Sequence, residues 1–516
     1  MIRLLGILGG LSGAMDLGSG SPLDESLVRC VVTVRLARAL GCSDDEVRAA
    51  LYASLLEHLG CTAYSHEAAR LFGDDISVVR ASFVADLDRP AQVLRTFVPA
   101  VSAASDRGRA QTLLATARSA RDAVPPTATC EVARDAARGL GLGDDVTTAL
   151  AHVTARWDGN GRPGTRGAQT PLATRVLHVA GTAVLLALRI GPGSALVELH
   201  RRAGTHLDPG VVAAFTADLL TGLVDLPAAP GGTAVPADLD PLEAALDAEP
   251  DPVRYIDDGE LLDVARTFGH VVDLKSPWLH GHSATVAELA AAAARTLGLP
   301  EPGRVRLAGH LHDLGRIGVS SRIWAKRGRL TAAERDQARL HPYFTERILS
   351  RAPELADVAA VAAQHHERCD GSGYHRGLRA AELSMASRVL AAADRYARLV
   401  AAAADGAAPA PVEATERLTA AAREGRLDPD AVRAVLRAAG HDAPARPTGV
   451  AGLTDRQVQV LRLLTRGLSN RQIARRLGVS PRTAEHHVQD IYVRIGVSTR
   501  PAAALFAMEH GLLDPG

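Results

Sequence analysis

The chain has 516 residues, with 58 Lys and Arg against 58 Asp and Glu, so no net field draws it as a whole to nucleic acid or membrane, and any DNA contact must come from a local patch. That length suits two to four domains, each able to bury its own core. Only 3% of residues are aromatic while Ala and Leu abound, which predicts helices packed through small side chains.

The opening MIRLLGILGGLSGAM mimics a secretory leader, with one Arg and a short apolar run. No A-x-A site follows, so it reads as the first helix of a cytosolic domain. The five cysteines (Cys30, Cys42, Cys61, Cys130, Cys369) show no CxxC and no paired spacing, which fits a reduced, cytoplasmic chain. No other stretch lacks charge for long enough to give a 20-residue span, so no membrane is expected as a partner.

Apolar residues recur at three- and four-residue intervals, as in 26–40 and 284–298, and strand-like alternation is scarce. Pro-, Ala-, Gly- and Asp-rich stretches at 226–241 and 441–452 suit linkers, and 401–411 suits a loop. The expected fold is all-α: a helical domain over 1–230, a linker over 231–250, a second helical domain over 251–440, a linker over 441–451 and a small helical module over 452–514.

The first two blocks repeat one another. ARWDGNGRPGTRGAQTPLATRVLHVAG (155–181) matches ERCDGSGYHRGLRAAELSMASRVLAAAD (367–394), and LLEHLGC (55–61) matches HLHDLGR (310–316). Only the second copy carries the series His282, His312-Asp313, His341, His365-His366 and Asp394, whose imidazoles and carboxylates suit hard or borderline divalent metals. In the first copy Glu57 and His58 stand at His312 and Asp313, Val153 and Thr154 at His365 and His366, and Gly181 at Asp394, with Glu25 near the place of His282. A site needing several imidazoles and a final carboxylate cannot form there.

Five segments, 273–290, 310–319, 330–349, 365–378 and 388–396, together resemble the HD-GYP family, a branch of the HD phosphohydrolases. The resemblance makes the blocks two tandem HD-type domains, the first a degenerate copy. It implies a binuclear centre of two divalent ions, usually iron or manganese. Asp313 would bridge them, with His282, His312 and Asp394 on one ion and His341, His365 and His366 on the other. Two such ions activate a water and clamp a phosphate oxygen. Asp313 and Arg316 are the expected catalytic residues, and the expected ligand is a nucleotide or cyclic dinucleotide phosphoester. The chain departs from the family pattern at four places. Arg316 replaces a Lys, His375 a Pro in Gly373-Tyr374-His375, Ala397 an Asp, and Trp278 stands where some relatives have a Glu for a third metal. An Arg-Pro-Tyr segment is missing from 398–412. The departures at Arg316, His375, Ala397 and the missing segment bear on the substrate rather than on metal binding, while Trp278 points to two metals rather than three.

Residues 453–510 resemble the LuxR-type helix-turn-helix. The turn at Gly478-Val479-Ser480 leads into a helix expected at about 481–494, with Ser480 as cap and Pro481 at its first position. Nine Arg face five acidic residues over 452–514, which supplies the local patch. By resemblance Glu485, His486 and Gln489 read base edges, Arg482, Thr483 and Arg494 hold phosphates, and the last helix, 500–510, pairs two modules as a homodimer on double-stranded DNA. The expectation is a DNA-binding regulator carrying a phosphohydrolase domain. The alternative is a transcription factor whose HD domain only senses a ligand or metal.

Overall fold

Helix boundaries follow local chemistry. Ser43, Thr331, Thr454 and Ser469 each form a reciprocal box with the Glu or Gln three residues on, capping Asp44–Leu56, Ala332–Arg339, Asp455–Thr465 and Asn470–Leu477. Asp208, Asp240 and Asp428 cap helices that begin with Pro, where the missing N–H costs nothing. The computed structural model describes residues 1–87, 89–119, 124–225, 237–326, 328–401, 411–440 and 453–513. The chain divides into two units, Met1–Glu260 and Leu261–Gly516. Both are helical, as predicted. Among the described residues the one sheet pairs Ile2–Arg3 antiparallel with Tyr255–Ile256.

The first unit is built on Glu25–Ala39, Asp44–Leu56 and Leu172–Ile190, which bury Val32, Leu36, Leu51, Leu55, Val176 and Val184 against one another. Contrary to the expectation from charge spacing, Leu172–Ile190 is long and apolar enough to cross a membrane by length and composition. Its two Arg sit near its ends and leave an apolar centre. Here that centre packs on the neighbouring helices, Arg175 binds Asp208 at 2.7 Å, and Arg189 donates to the Arg80 carbonyl at 2.7 Å. The leader-like opening forms the helix Leu4–Ser19, buried along most of its length.

The stretch expected as a linker over 231–250 contains a helix, Pro241–Ala248, packed on Glu25–Ala39. Glu249 after it accepts from Arg3 at 2.8 Å and from the Tyr52 hydroxyl at 2.6 Å. The pairing of Tyr255–Ile256 with the first strand carries this unit on to Glu260. The expected linker 441–451 and residues 402–410 of the expected loop 401–411 lie outside the described residues.

The second unit frames its site with His282–Thr296, Pro302–Leu311, His341–Leu349, Ala356–Ala363 and Met385–Val400. The predicted small-residue packing is present. A Cβ on Gly309 would stand 2.4 Å from the Ala287 Cα, and Ala287, Ala290, Ala291 and Ala294 are all buried. The last four helices, Asp455–Thr465, Asn470–Leu477, Pro481–Ile495 and Arg500–Glu509, close on a core of Leu461, Leu464, Ile473, Val488, Ile491 and Ala503.

Candidate metal centre and DNA-binding tail

His282 opens its helix behind Gly281, which takes φ 78. The Asp273 carboxylate fixes this start by accepting from the Ser283 N–H at 3.0 Å and the Ser283 hydroxyl at 2.8 Å. His312 ends the Pro302–Leu311 helix, and Asp313 follows in the tight turn Leu314–Gly318. Thr345 joins that turn to His341–Leu349, donating to the His312 carbonyl at 3.0 Å and accepting from the Gly315 N–H at 2.9 Å. His365 and His366 follow Ala356–Ala363, and Asp394 lies within Met385–Val400.

All seven predicted ligands converge, and all are buried. Asp313 faces two ways. Its Oδ2 lies 3.5 Å from His282 Nε2 and 3.1 Å from His312 Nε2, while Oδ1 lies 3.4 Å from both His341 Nε2 and His365 Nε2. Asp394 Oδ1 stands 3.2 Å from His282 Nε2 and 3.6 Å from His312 Nε2. Two clusters result, His282–His312–Asp394 and His341–His365–His366, with Asp313 between them.

The tautomers suit ligation. His312, His341 and His365 each donate Nδ1–H to the carbonyl three residues earlier, at 2.8, 2.5 and 2.7 Å, which turns the Nε2 lone pair inward. His282 Nε2, His312 Nε2, Asp313 Oδ1 and Asp394 Oδ1 are buried without a hydrogen-bond partner, while Asp313 Oδ2 meets the Arg316 guanidinium in an ion pair. Orphaned polar atoms on this scale are costly unless a cation meets them. An all-nitrogen-and-oxygen donor set facing one volume fits divalent cations such as iron or manganese. Burial holds His282 down to about 4 and keeps His341 and His366 well below the ordinary range, so these imidazoles are neutral donors. Burial also opposes charge on His312, but Asp313 and then Asp394 push it up to about 9, so its Nε2 has to give up a proton before it can ligate. Trp278 belongs to neither cluster.

Arg316 forms an ion pair with Asp313 Oδ2 at 2.9 Å, and its guanidinium lies over the Trp324 ring at 4.9 Å. Sequence reasoning assigned no role to four neighbours. Arg398, one turn after Asp394, binds Asp394 Oδ2 and lies 2.9 Å from His366 Nδ1. Tyr374 stands 4.6 Å from His366 ring to ring, and the Arg339 guanidinium covers Tyr374 at 4.8 Å. Glu367 fixes this loop, accepting from the N–H groups of Arg376 at 2.8 Å and Leu378 at 3.0 Å. The one sequence signal for Arg398 was its spacing of four from a ligand on a helix.

The first copy repeats the frame without the ligands. Glu25 opens its helix behind Asp24, which takes φ 77, and Asp16 accepts from the Ser26 N–H at 3.0 Å and hydroxyl at 2.6 Å. Where the second copy gathers ligands, Arg29 lies fully buried, 2.7 Å from Glu57 and 3.7 Å from Glu25, and against His58. A Cβ on Gly181 would already stand 3.0 Å from the Arg29 side chain, so a side chain there would have to displace Arg29.

In the tail, Ser480 accepts from the Thr483 N–H at 3.0 Å and Pro481 opens the Pro481–Ile495 helix, as predicted. Arg482, Thr483, Glu485, His486, Gln489 and Arg494 all lie exposed on it, and Ala484, Val488 and Ile491 face the core. Gln457 completes the Thr454 capping box.

This is an HD domain followed by a DNA-binding module of the luxR type: residues 266–431 match the family described as HD domain, and 451–507 match the bacterial regulatory proteins of the luxR family. Among curated proteins, the chain is 27% identical over 395 residues to 3'3'-cGAMP-specific phosphodiesterase 3 of Vibrio cholerae, covering 75% of this chain and 84% of the relative. It is 35% identical over 145 residues to a cyclic di-GMP phosphodiesterase of Thermotoga maritima, covering 27% of this chain and 39% of the relative. A solved cyclic GMP-AMP specific phosphodiesterase of V. cholerae superposes with a TM-score of 0.54 at 23% identity, over 85% of this chain and 98% of that one, which shows a shared fold.

Proposed function

We propose that the protein is a DNA-binding transcriptional regulator whose HD domain is a metal-dependent phosphodiesterase for a cyclic dinucleotide. The observation that carries this reading is the pair of His-rich clusters sharing Asp313, with its orphaned buried oxygens and nitrogens. His282, His312 and Asp394 would hold one divalent ion and His341, His365 and His366 a second, with Asp313 placed between the two groups. Such ions supply Lewis acidity to a phosphoryl oxygen and lower the pKa of a nearby water. Asp313 sets the spacing of the two donor groups. Arg316, held by Asp313 and Trp324, adds a fixed positive charge beside the bridging carboxylate. The relatives that act on 3'3'-cGAMP and cyclic di-GMP favour a cyclic dinucleotide as substrate.

The tail gives the enzyme an address. Glu485, His486 and Gln489 read bases, while Arg482, Thr483 and Arg494 hold phosphates, in a homodimer on a palindromic site in the cytoplasm. The degenerate first domain, the metal-binding domain and the tail divide as 1–230, 251–440 and 452–514, with the Pro241–Ala248 helix packed on the first.

The test is turnover by protein purified with Mn²⁺ or Fe²⁺, on 3'3'-cGAMP, cyclic di-GMP, a (p)ppGpp-like nucleotide and a generic phosphodiester. Wild type is expected to exceed Asp313→Ala by about 100-fold or more, since even the partners of metal ligands act on that scale. Equal rates for the two proteins remove the enzymatic reading and leave the HD domain as a sensor.

A further inference from the structure

Two guanidiniums touch the two carboxylates of the centre, and they differ in freedom. Arg316 is locked: it is 3% exposed, paired with Asp313 and stacked on Trp324. Arg398 is the open one, with 30% of its side chain exposed. It holds the outward oxygen of Asp394, Oδ2, while Oδ1 faces His282 and His312. Its Nη atoms also lie 2.9 and 3.3 Å from the two nitrogens of His366. From there an aromatic strip leads outward. The His366 ring meets Tyr374 at 4.6 Å, and Tyr374 carries Arg339 at 4.8 Å on its face.

Resting on the phosphodiesterase reading, we infer that Arg398 binds the scissile phosphate of the substrate through its non-bridging oxygens. Its position fits that role in three ways. A guanidinium presents a planar fork that matches two phosphate oxygens. It is the partly exposed cation of the pair at the carboxylates, so an incoming anion reaches it without breaking the Asp313–Arg316 pair. The flat face of Tyr374 beyond His366 suits the planar base attached to such a phosphate, with Arg339 as the lid that the base displaces or stacks upon. The substrate class is therefore a phosphodiester that carries a nucleobase.

The test compares wild type, Arg398→Ala and Arg398→Lys, each loaded with Mn²⁺ and assayed for bound metal and thermal unfolding. Two quantities are read: KM and kcat for 3'3'-cGAMP, and calorimetric affinity for its non-hydrolysable phosphorothioate analogue. Loss of a charge-assisted contact predicts that Arg398→Ala raises KM and weakens analogue binding by about 10-fold or more. Metal content should stay at the wild-type level, and Arg398→Lys should recover part of the loss. A generic phosphodiester without a base should lose less when Tyr374 is also changed to Leu than 3'3'-cGAMP does. Unchanged KM and analogue affinity in Arg398→Ala, beside an active wild type, overturn this assignment alone. Losses that track lost metal also overturn it and make Arg398 a support for Asp394 and His366. An inactive wild type that fails to bind the analogue removes the phosphodiesterase reading and this inference with it.

Discussion

Gly315 shows how little room the centre leaves. A Cβ there would stand 2.0 Å from the His341 carbonyl oxygen and 2.7 Å from the Thr345 nitrogen, both backbone atoms that cannot swing aside. This approach brings the turn carrying Asp313 against the helix carrying His341. Gly315→Ala is therefore expected to cost about 1–3 kcal/mol, the usual range for overpacking. It should also lower the Mn²⁺ content of protein dialysed against limiting metal. Thermal unfolding and elemental analysis check it, and wild-type values for both contradict the close approach. At this scale the seven side chains that converge were readable because imidazoles and carboxylates in a fixed order are rare in an Ala-rich chain. Arg398 was not. In a chain with 58 Lys and Arg, a helical Arg ordinarily marks a solvated face, and only the fold shows it turned onto Asp394 and His366.

The helices Glu25–Ala39 and His282–Thr296 are one element used twice. Each starts after a left-handed residue, and each has its second residue, Ser26 or Ser283, held by a buried Asp. Beyond that they diverge. The second offers His282 to the centre, and the first offers Glu25 together with Arg29, whose charge sits among Glu25, Glu57 and His58. The likeness of the two blocks was legible from the DGxG and Arg-Val-Leu segments, and so was the absence of the second block's imidazoles at the matching positions of the first. The compensation was not, because the alignment shows what is missing at Glu57 and Gly181 but not that a side chain from another helix fills the space. Removing the guanidinium in Arg29→Met leaves buried carboxylates unpaired, which predicts a loss of about 3–5 kcal/mol. The loss depends on pH. Burial, opposed by Arg29, pushes Glu57 up to about 7. A carboxyl raised in the folded state favours folding below its unfolded pKa and loses that contribution as pH rises through the folded value. Without Arg29 the carboxyl is raised further. The drop in melting temperature of Arg29→Met relative to wild type should therefore be larger at pH 8 than at pH 5. Equal drops at both pH values would mean that Arg29 acts through packing alone.

At the scale of the whole molecule, charge is segregated. Basic and acidic residues balance at 58 each, yet nine Arg oppose five acidic residues over 452–514. The block order of two helical domains and a helix-turn-helix was visible from linker composition and motif register. Within the stretch expected as the first linker Pro241–Ala248 packs on Glu25–Ala39, and just beyond it Tyr255–Ile256 pairs with Ile2–Arg3; long-range pairing of two-residue strands leaves no local pattern to read. Segregated charge makes a specific demand on DNA binding by the full chain. Attraction to phosphate has to come from the tail, so affinity should fall steeply with salt even though the protein is neutral overall. Arg482 is exposed at the start of Pro481–Ile495, where its charge is open to a phosphate. Arg482→Ala should weaken binding to all sequences alike and reduce the slope of log affinity against log salt by about 1. Gln489, exposed two turns further along the same helix, should behave differently: Gln489→Ala is expected to leave the salt slope unchanged and relax the preference at one base pair by about 1–3 kcal/mol. Binding of the full chain to a selected site and to random DNA, across 50–200 mM salt, separates the two roles. If both variants change the slope and neither changes the preference, this helix touches only the backbone, and base reading has to be sought elsewhere in the chain.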